Sequence, residues 1–223
     1  MSGGRSEILY KRFRERFKLD PTPCQDSLLR DVASFAVCDD ADILVVNGYA
    51  GTGKTSAMAA VTAALRDFGV KSVPLAPTGR AAKVLSGMSG RPAFTIHKHI
   101  YRQKSVGADG YGSFSLAPNK SVKTLFIVDE VSLIGIDAMQ QGSSTSLFGT
   151  GNLLEDLVAF VRSGDDCRLV LVGDAAQLPP VGMEASPALS REYMDGFGGV
   201  RYSALTSVVR QERESGILRN ATL

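Results

Sequence analysis

Residues 42 to 47 read DILVVN, an apolar run whose only polar residues are at its ends, and the same texture returns in KSVPLAP (71–77), TLFIVDE (124–130) and RLVLVGD (168–174). Short apolar runs without alternation are the signature of strands covered on both faces. Between them the period becomes helical. SAMAAVTAALRDFG (56–69), TGRAAKVLSG (78–87) and NLLEDLVAFVRSG (152–164) place apolar residues three and four apart. Asn152, with Glu155 three residues on, marks the start of the last of these. RYSALTSVV (201–209) fits a fifth strand. Apolar strands alternating with helices predict an α/β domain whose mainly parallel sheet is sandwiched by helices.

Two further segments complete the outline. TPCQDSLLRDVASFAV (22–37) opens as a helix: Thr22 caps, Pro23 suits the first turn and Gln25 completes a capping box. Upstream, residues 1–20 contain six basic and three acidic residues, with Ile8, Leu9, Phe13 and Phe17 at helical spacing. That pattern predicts a basic amphipathic helix, lying on a domain of residues 21–223 or touching nucleic acid. One stretch breaks the rhythm. RQKSVGADGYGSFSLAPNKSVK (102–123) is rich in Gly, Ser and Lys, with Tyr111 and Phe114 inside it, and predicts a surface insertion built as a small β-hairpin.

The totals narrow the setting. A chain of 223 residues, 44% hydrophobic and 22% charged, suits a soluble α/β domain. A net charge of +2 permits nucleic-acid binding without requiring it. No apolar run approaches the roughly 20 residues of a membrane span, and the N-terminus lacks the layout of a secretory signal. Cys24, Cys38 and Cys167 are odd in number and fit neither a zinc nor a disulfide spacing. Reduced thiols and a cytoplasmic location are the expectation.

The chemistry enters at NGYAGTGKT. Gly48 to Thr55 match G-x-x-x-x-G-K-T between a buried strand and an Ala-rich helix, the context this loop requires. Gly48, Ala50, Gly51, Thr52 and Gly53 would let backbone N–H groups converge on phosphate oxygens at a helix N-terminus. Lys54 would reach the β- and γ-phosphates, and the Thr55 hydroxyl would hold Mg²⁺. TLFIVDE brings Asp129 and Glu130 to a strand end: Asp129 suits Mg²⁺, and Glu130 is placed to polarise an attacking water. GTP recognition by an Asn-Lys-x-Asp element is not met, because Asn119-Lys120-Ser121 is followed by Val122. ATP with Mg²⁺ is therefore the expected pair.

LVLVGDAAQLPPVG (170–182 and the residue before) adds Gln177 after a strand, followed by a stiff Leu-Pro-Pro. At this point the chain resembles superfamily-one DNA helicases of the 5′-to-3′ branch, the RecD/Dda/Pif-like group. GDAAQLPPVG is similar to that family's third motif, PLAPTGRAAKVLS to motif Ia, TIHKHIY to motif Ib and LTSVVRQ to motif IV. The resemblance runs from about Gln25 to Gln211 and implies a RecA-like P-loop fold. It implies that Gln177 contacts the γ-phosphate or the lytic water, that Arg210 reaches the γ-phosphate, and that Gln25 reads adenine. It further implies that Thr78, Gly79, Arg80, Thr95 and His97 line a single-strand channel. The 102–123 insertion would be a wedge at a duplex fork, with an aromatic such as Phe114 or Tyr111 at its tip.

The family motor has two RecA-like domains with ATP between them, and only the first is recognisable here. The expectation is a first motor domain whose second domain is absent from this chain, with single-stranded or forked DNA as partner and weak turnover alone. Two other readings compete. A metabolite kinase would need an acceptor pocket and an Arg-rich lid, neither of which is visible. A non-hydrolysing ATP-gated nucleic-acid module is opposed by the intact Lys54, Thr55, Asp129 and Glu130. No oligomer is implied.

Overall fold

The computed structural model describes residues 2–17, 20–67, 70–106, 112–135, 148–180 and 182–206. Its centre is a six-stranded, all-parallel sheet in the order β3-β2-β6-β7-β1-β8. The strands are β1 (Ile43–Gly48), β2 (Lys71–Ala76), β3 (Phe94–Thr95), β6 (Thr124–Val128), β7 (Arg168–Gly173) and β8 (Val200–Leu205). Strand alternation divides the apolar runs between two cores. Leu44 and Val46 of β1, Leu125 and Ile127 of β6, and Val170 and Val172 of β7 face one core. That core is completed by α1 (Ser2–Arg16), α2 (Pro23–Phe35) and α3 (Lys54–Asp67). Ile43, Val45, Phe126, Val128, Leu169 and Leu171 face the other. There they meet α5 (Ile96–Ile100), α6 (Leu153–Arg162) and α7 (Arg191–Asp195). The predicted parallel sheet sandwiched by helices is therefore the fold, and α4 (Gly79–Ser89) lies against β2 and α3.

Helix ends follow local chemistry. Thr22 and Gln25 form the reciprocal capping box, and Asn152 accepts from the N–H groups of Leu154 and Glu155. Helix α4 runs past the expected end at Gly87 because Gly90, at φ +64°, supplies the left-handed cap. Pro74 is tolerated inside β2 because β3 pairs only with Leu75 and Ala76, leaving β2 an edge at that point. In α1, Leu9 and Phe13 enter the core shared with α2 and α3, whereas Ile8 points outward.

The insertion is a hairpin. Strands β4 (Tyr101–Val106) and β5 (Gly112–Leu116) pair antiparallel, Tyr101 with Leu116 and Gln103 with Phe114. Its base is tied to α6, where the buried Asp156 accepts from Tyr101 Oη at 2.6 Å and Thr150 N at 3.0 Å.

Candidate active site

In a parallel sheet the loops leaving the C-terminal strand ends share one edge, and ligands bind there. The loops after β1, β6 and β7, adjacent in the order β6-β7-β1, bring together the residues that sequence reasoning selected. The loop after β1 depends on its glycines. A Cβ on Gly48 would lie 2.9 Å from Leu205 Cβ, on the neighbouring β8. Gly51 and Gly53 have φ of +75° and +83°, the region where glycine carries no steric penalty. Thr52 is fully buried, its hydroxyl donating to Tyr49 O at 2.8 Å, and Ala50 is exposed.

Lys54 folds back over this loop, donating to Gly48 O at 2.6 Å and Tyr49 O at 2.9 Å, with Asp174 Oδ2 at 3.9 Å. Burial lowers the Lys54 pKa, against the pull of Asp174, Glu130 and Asp129. The loop carbonyls are therefore holding an ammonium that a phosphate would satisfy better. Asp174 is 3% exposed and accepts from Ala176 N at 2.9 Å. Sequence reasoning gave Asp174 no role; its signal was its place directly after the apolar run RLVLVG.

Across β7, Asp129 accepts from Glu130 N at 3.0 Å, and hydrogen bonding with the Thr55 hydroxyl is among the influences that lower its pKa. Burial raises its pKa, and these bonds and Lys54 only partly oppose the shift. Glu130 is also pushed up, first by burial and then by Asp129, with Lys54 and a hydrogen bond from Gln177 opposing. Glu130 sits at φ +61°, ψ +38°, a left-handed conformation that costs a non-glycine residue about 1 kcal/mol or more. On a regular strand, consecutive side chains point to opposite faces. This turn at the end of β6 lets Asp129 and Glu130 both act on Lys54.

The residues fit Mg²⁺ and a nucleoside triphosphate. One buried carboxylate beside a hydroxyl is a hard oxygen set that leaves most positions to water and phosphate, as Mg²⁺ prefers. Asn119 has no place here. It lies beside Lys71 and Thr124, the first residues of β2 and β6, at the opposite end of the sheet, and bonds Phe160 O and Ser121 N.

Gln25 does reach the loop, but not with a free amide. Its Nε2 donates to Thr52 O at 2.7 Å, its Oε1 accepts from Thr22 N at 3.0 Å, and it is 4% exposed. In this conformation both ends of its amide are engaged, one by the helix cap and one by the phosphate loop.

The residues expected to line a strand channel lie along the same sheet edge. Thr78, Gly79 and Arg80 are exposed at the start of α4, after β2, and Thr95 follows at the end of β3. Both threonines are helix caps, accepting from Ala81 N and Lys98 N. A capping hydroxyl still has its own proton to donate. His97 is half-buried between Tyr101 and Phe148, at 5.7 and 5.2 Å between ring centroids.

Phe114 corrects an expectation. It is not at the hairpin tip but in β5 opposite Gln103, and its ring stacks on Phe148 at 4.6 Å. Phe148 returns from a segment 34 residues further along, so no local pattern announces the contact. Tyr111 lies outside the described residues, as do Arg210 and Gln211.

Residues 25–144 match the AAA domain family. The chain is 36% identical over 139 residues to the ATP-dependent RecD2 DNA helicase of Deinococcus radiodurans, covering 62% of this chain and 16% of that protein. It is 32% identical over 178 residues to the conjugal transfer protein TraA of Rhizobium radiobacter, covering 80% of this chain and 13% of that protein. Its fold is similar to the crystal structure of Pif1 helicase from Candida albicans, with a TM-score of 0.53 at 20% identity, covering 86% of this chain and 41% of that one. This chain thus spans 16% or less of the length of these two curated relatives.

Proposed function

This chain belongs to the AAA domain family, as a RecA-like domain of the RecD/Pif-like helicase group, and on that premise we propose that it is the first motor domain of an ATP-driven DNA helicase. In this reading the domain binds ATP and Mg²⁺, hydrolyses ATP, and moves along single-stranded DNA in the 5′-to-3′ direction. The observation that carries it is the meeting of three chain-distant segments at one sheet edge: Lys54 and Thr55, Asp129 and Glu130, and Asp174 to Gln177.

Thr55 and Asp129 would hold Mg²⁺, whose chemistry there would be to neutralise charge on the transferring phosphoryl group. Lys54 exchanges its two loop carbonyls for phosphate oxygens. Glu130 accepts a hydrogen bond from the attacking water, and Gln177, on the loop after β7, offers its amide to the same water or to the γ-phosphate. Gln25 holds the Thr52 carbonyl and so the shape of the loop. The row from Thr78 to Arg80, with Thr95 beyond it, offers hydroxyls, backbone N–H groups and one guanidinium to a strand's phosphates, contacts that ignore base identity.

The proposal includes a second RecA-like domain that closes over the nucleotide and contributes further charge. Its support is the exposure of apolar side chains beside the site: Leu178 is 87% exposed, Tyr49 54% and Leu133 48%. The deciding experiment is steady-state ATP hydrolysis with and without single-stranded DNA, by this chain and by the full-length protein, each beside Lys54→Ala. DNA-stimulated turnover in the full-length protein, lost in Lys54→Ala and weak in the chain alone, is expected. Strong DNA-stimulated turnover by the chain alone refutes the two-domain requirement. Failure of wild type to bind ATP any better than Lys54→Ala refutes the ATPase reading.

A further inference from the structure

Ser132 belongs to none of the roles above, yet its hydroxyl joins two of them. It lies in the short 3-10 turn Val131–Leu133 directly after Glu130 and is 2% exposed. A buried hydroxyl must find an acceptor, and in a helical turn the nearest is a carbonyl three or four residues back. This chain uses that solution elsewhere: Thr62 donates to Met58 O, Ser89 to Leu85 O and Ser163 to Phe160 O, each at 2.7 Å. Ser132 does not. Its Oγ donates to Oε1 of Gln177, 45 positions away, at 3.0 Å.

The chemistry of the two neighbours settles the amide's orientation. The Ser132 hydroxyl donates to Oε1, so Nε2 is the end that remains to donate toward the Glu130 carboxylate, whose pKa Gln177 lowers. The turn that carries Ser132 is itself braced. Ser186 Oγ lies 2.9 Å from Val131 O and 2.8 Å from Ile134 O. A Cβ on Gly173 would lie 2.8 Å from Val131 Cγ2, so the turn sits directly on the end of β7. Beside the pair, a cavity of about 40 Å³ lined by Ser132, Asp174, Gln177 and Ser186, among others, leaves room for an unanchored amide to rotate.

We propose that Ser132 is a positioning residue for ATP turnover, holding the Gln177 amide so that its N–H group faces Glu130 and the reacting end of the nucleotide. The proposal rests on the ATPase reading above. Without the hydroxyl, Oε1 loses the donor that fixes it, and the amide samples orientations whose N–H group no longer points at Glu130. The phosphate loop is untouched, so the loss falls on turnover and not on nucleotide affinity.

The test compares wild type, Ser132→Ala, Gln177→Ala, the double variant and Lys54→Ala in the full-length protein with single-stranded DNA. Ser132→Ala should lower kcat roughly three- to tenfold, the range expected for one hydrogen bond, with KM for ATP unchanged. In the Gln177→Ala background the same change should add nothing. An unchanged kcat, or an equal loss in both backgrounds, overturns the proposal. If Lys54→Ala turns over as wild type does, the ATPase reading fails first, and a second measurement still judges the contact. In ¹⁵N-glutamine spectra the Gln177 side-chain N–H signals should move to new chemical shifts in Ser132→Ala. Identical signals in both overturn the contact itself.

Discussion

Replacing Gln25 separates two uses of one side chain. Gln25→Ala removes the capping-box bond to Thr22 N and the bond from Nε2 to Thr52 O. Loss of a cap interaction costs about 1 kcal/mol. Leaving the Thr52 carbonyl without its buried donor adds about 2 kcal/mol. The sum, about 3 kcal/mol, should lower Tm by about 6–12 °C in a chain of this size. Because the lost bond shapes the phosphate loop and not a base pocket, affinity for ATP and GTP should fall together. Gln25→Glu is nearly isosteric but sets a carboxylate oxygen against Thr52 O, and should be no milder than the alanine variant. The assay is a thermal melt of each variant, followed by titration with ATP and GTP. An unchanged Tm together with selective loss of ATP binding would refute this account and make Gln25 a reader of adenine.

Three other expectations follow from the site. Gly48→Ala drives a Cβ to 2.9 Å from Leu205 Cβ and 3.2 Å from Leu205 O, so it should cost about 1–3 kcal/mol and weaken nucleotide binding, read by melting and titration. Burial raises the Asp129 pKa above its unfolded value, so the native state holds the proton longer. Stability should therefore fall as pH rises from the ordinary carboxylate range through the raised native value. Asp129→Asn should remove that slope, gain on the order of 1 kcal/mol at neutral pH and lose stabilisation by Mg²⁺, all visible in melts across pH with and without the ion. Arg162 bonds Asp42 through two nitrogens at 2.6 and 3.0 Å and the carbonyls of Phe197 and Gly198 at 2.9 Å, joining α6 to the starts of β1 and β8. Arg162→Lys should recover little of the roughly 1–2 kcal/mol lost in Arg162→Ala, because an ammonium cannot fork across both sets, as a denaturant titration would show.

The sequence by itself determined what local pattern can encode. Apolar runs specified strands, because burial on both faces leaves no polar position. Thr22-Gln25 and Asn152-Glu155 marked helix starts, because a cap acts within three residues. The spacing from Gly48 to Thr55 specified a phosphate loop, because all its donors lie in one turn. What depends on contacts between distant segments was decided only by the tertiary structure. Strand order was one such matter, since periodicity is blind to neighbours. Strand β3 and helix α5 were others, being too short to show a period. The Phe114–Phe148 stack moved an aromatic from an imagined tip to the hairpin's body. Gln25 was legible as a cap, but its second bond, to Thr52, required α2 to be docked beside the loop after β1. Asp174, Ser132 and the left-handed turn at Glu130 gained meaning only once β6, β7 and β1 lay side by side. A sequence states which groups a chain carries and how nearby ones repeat; the distance between two chemical groups far apart along it is a property of packing.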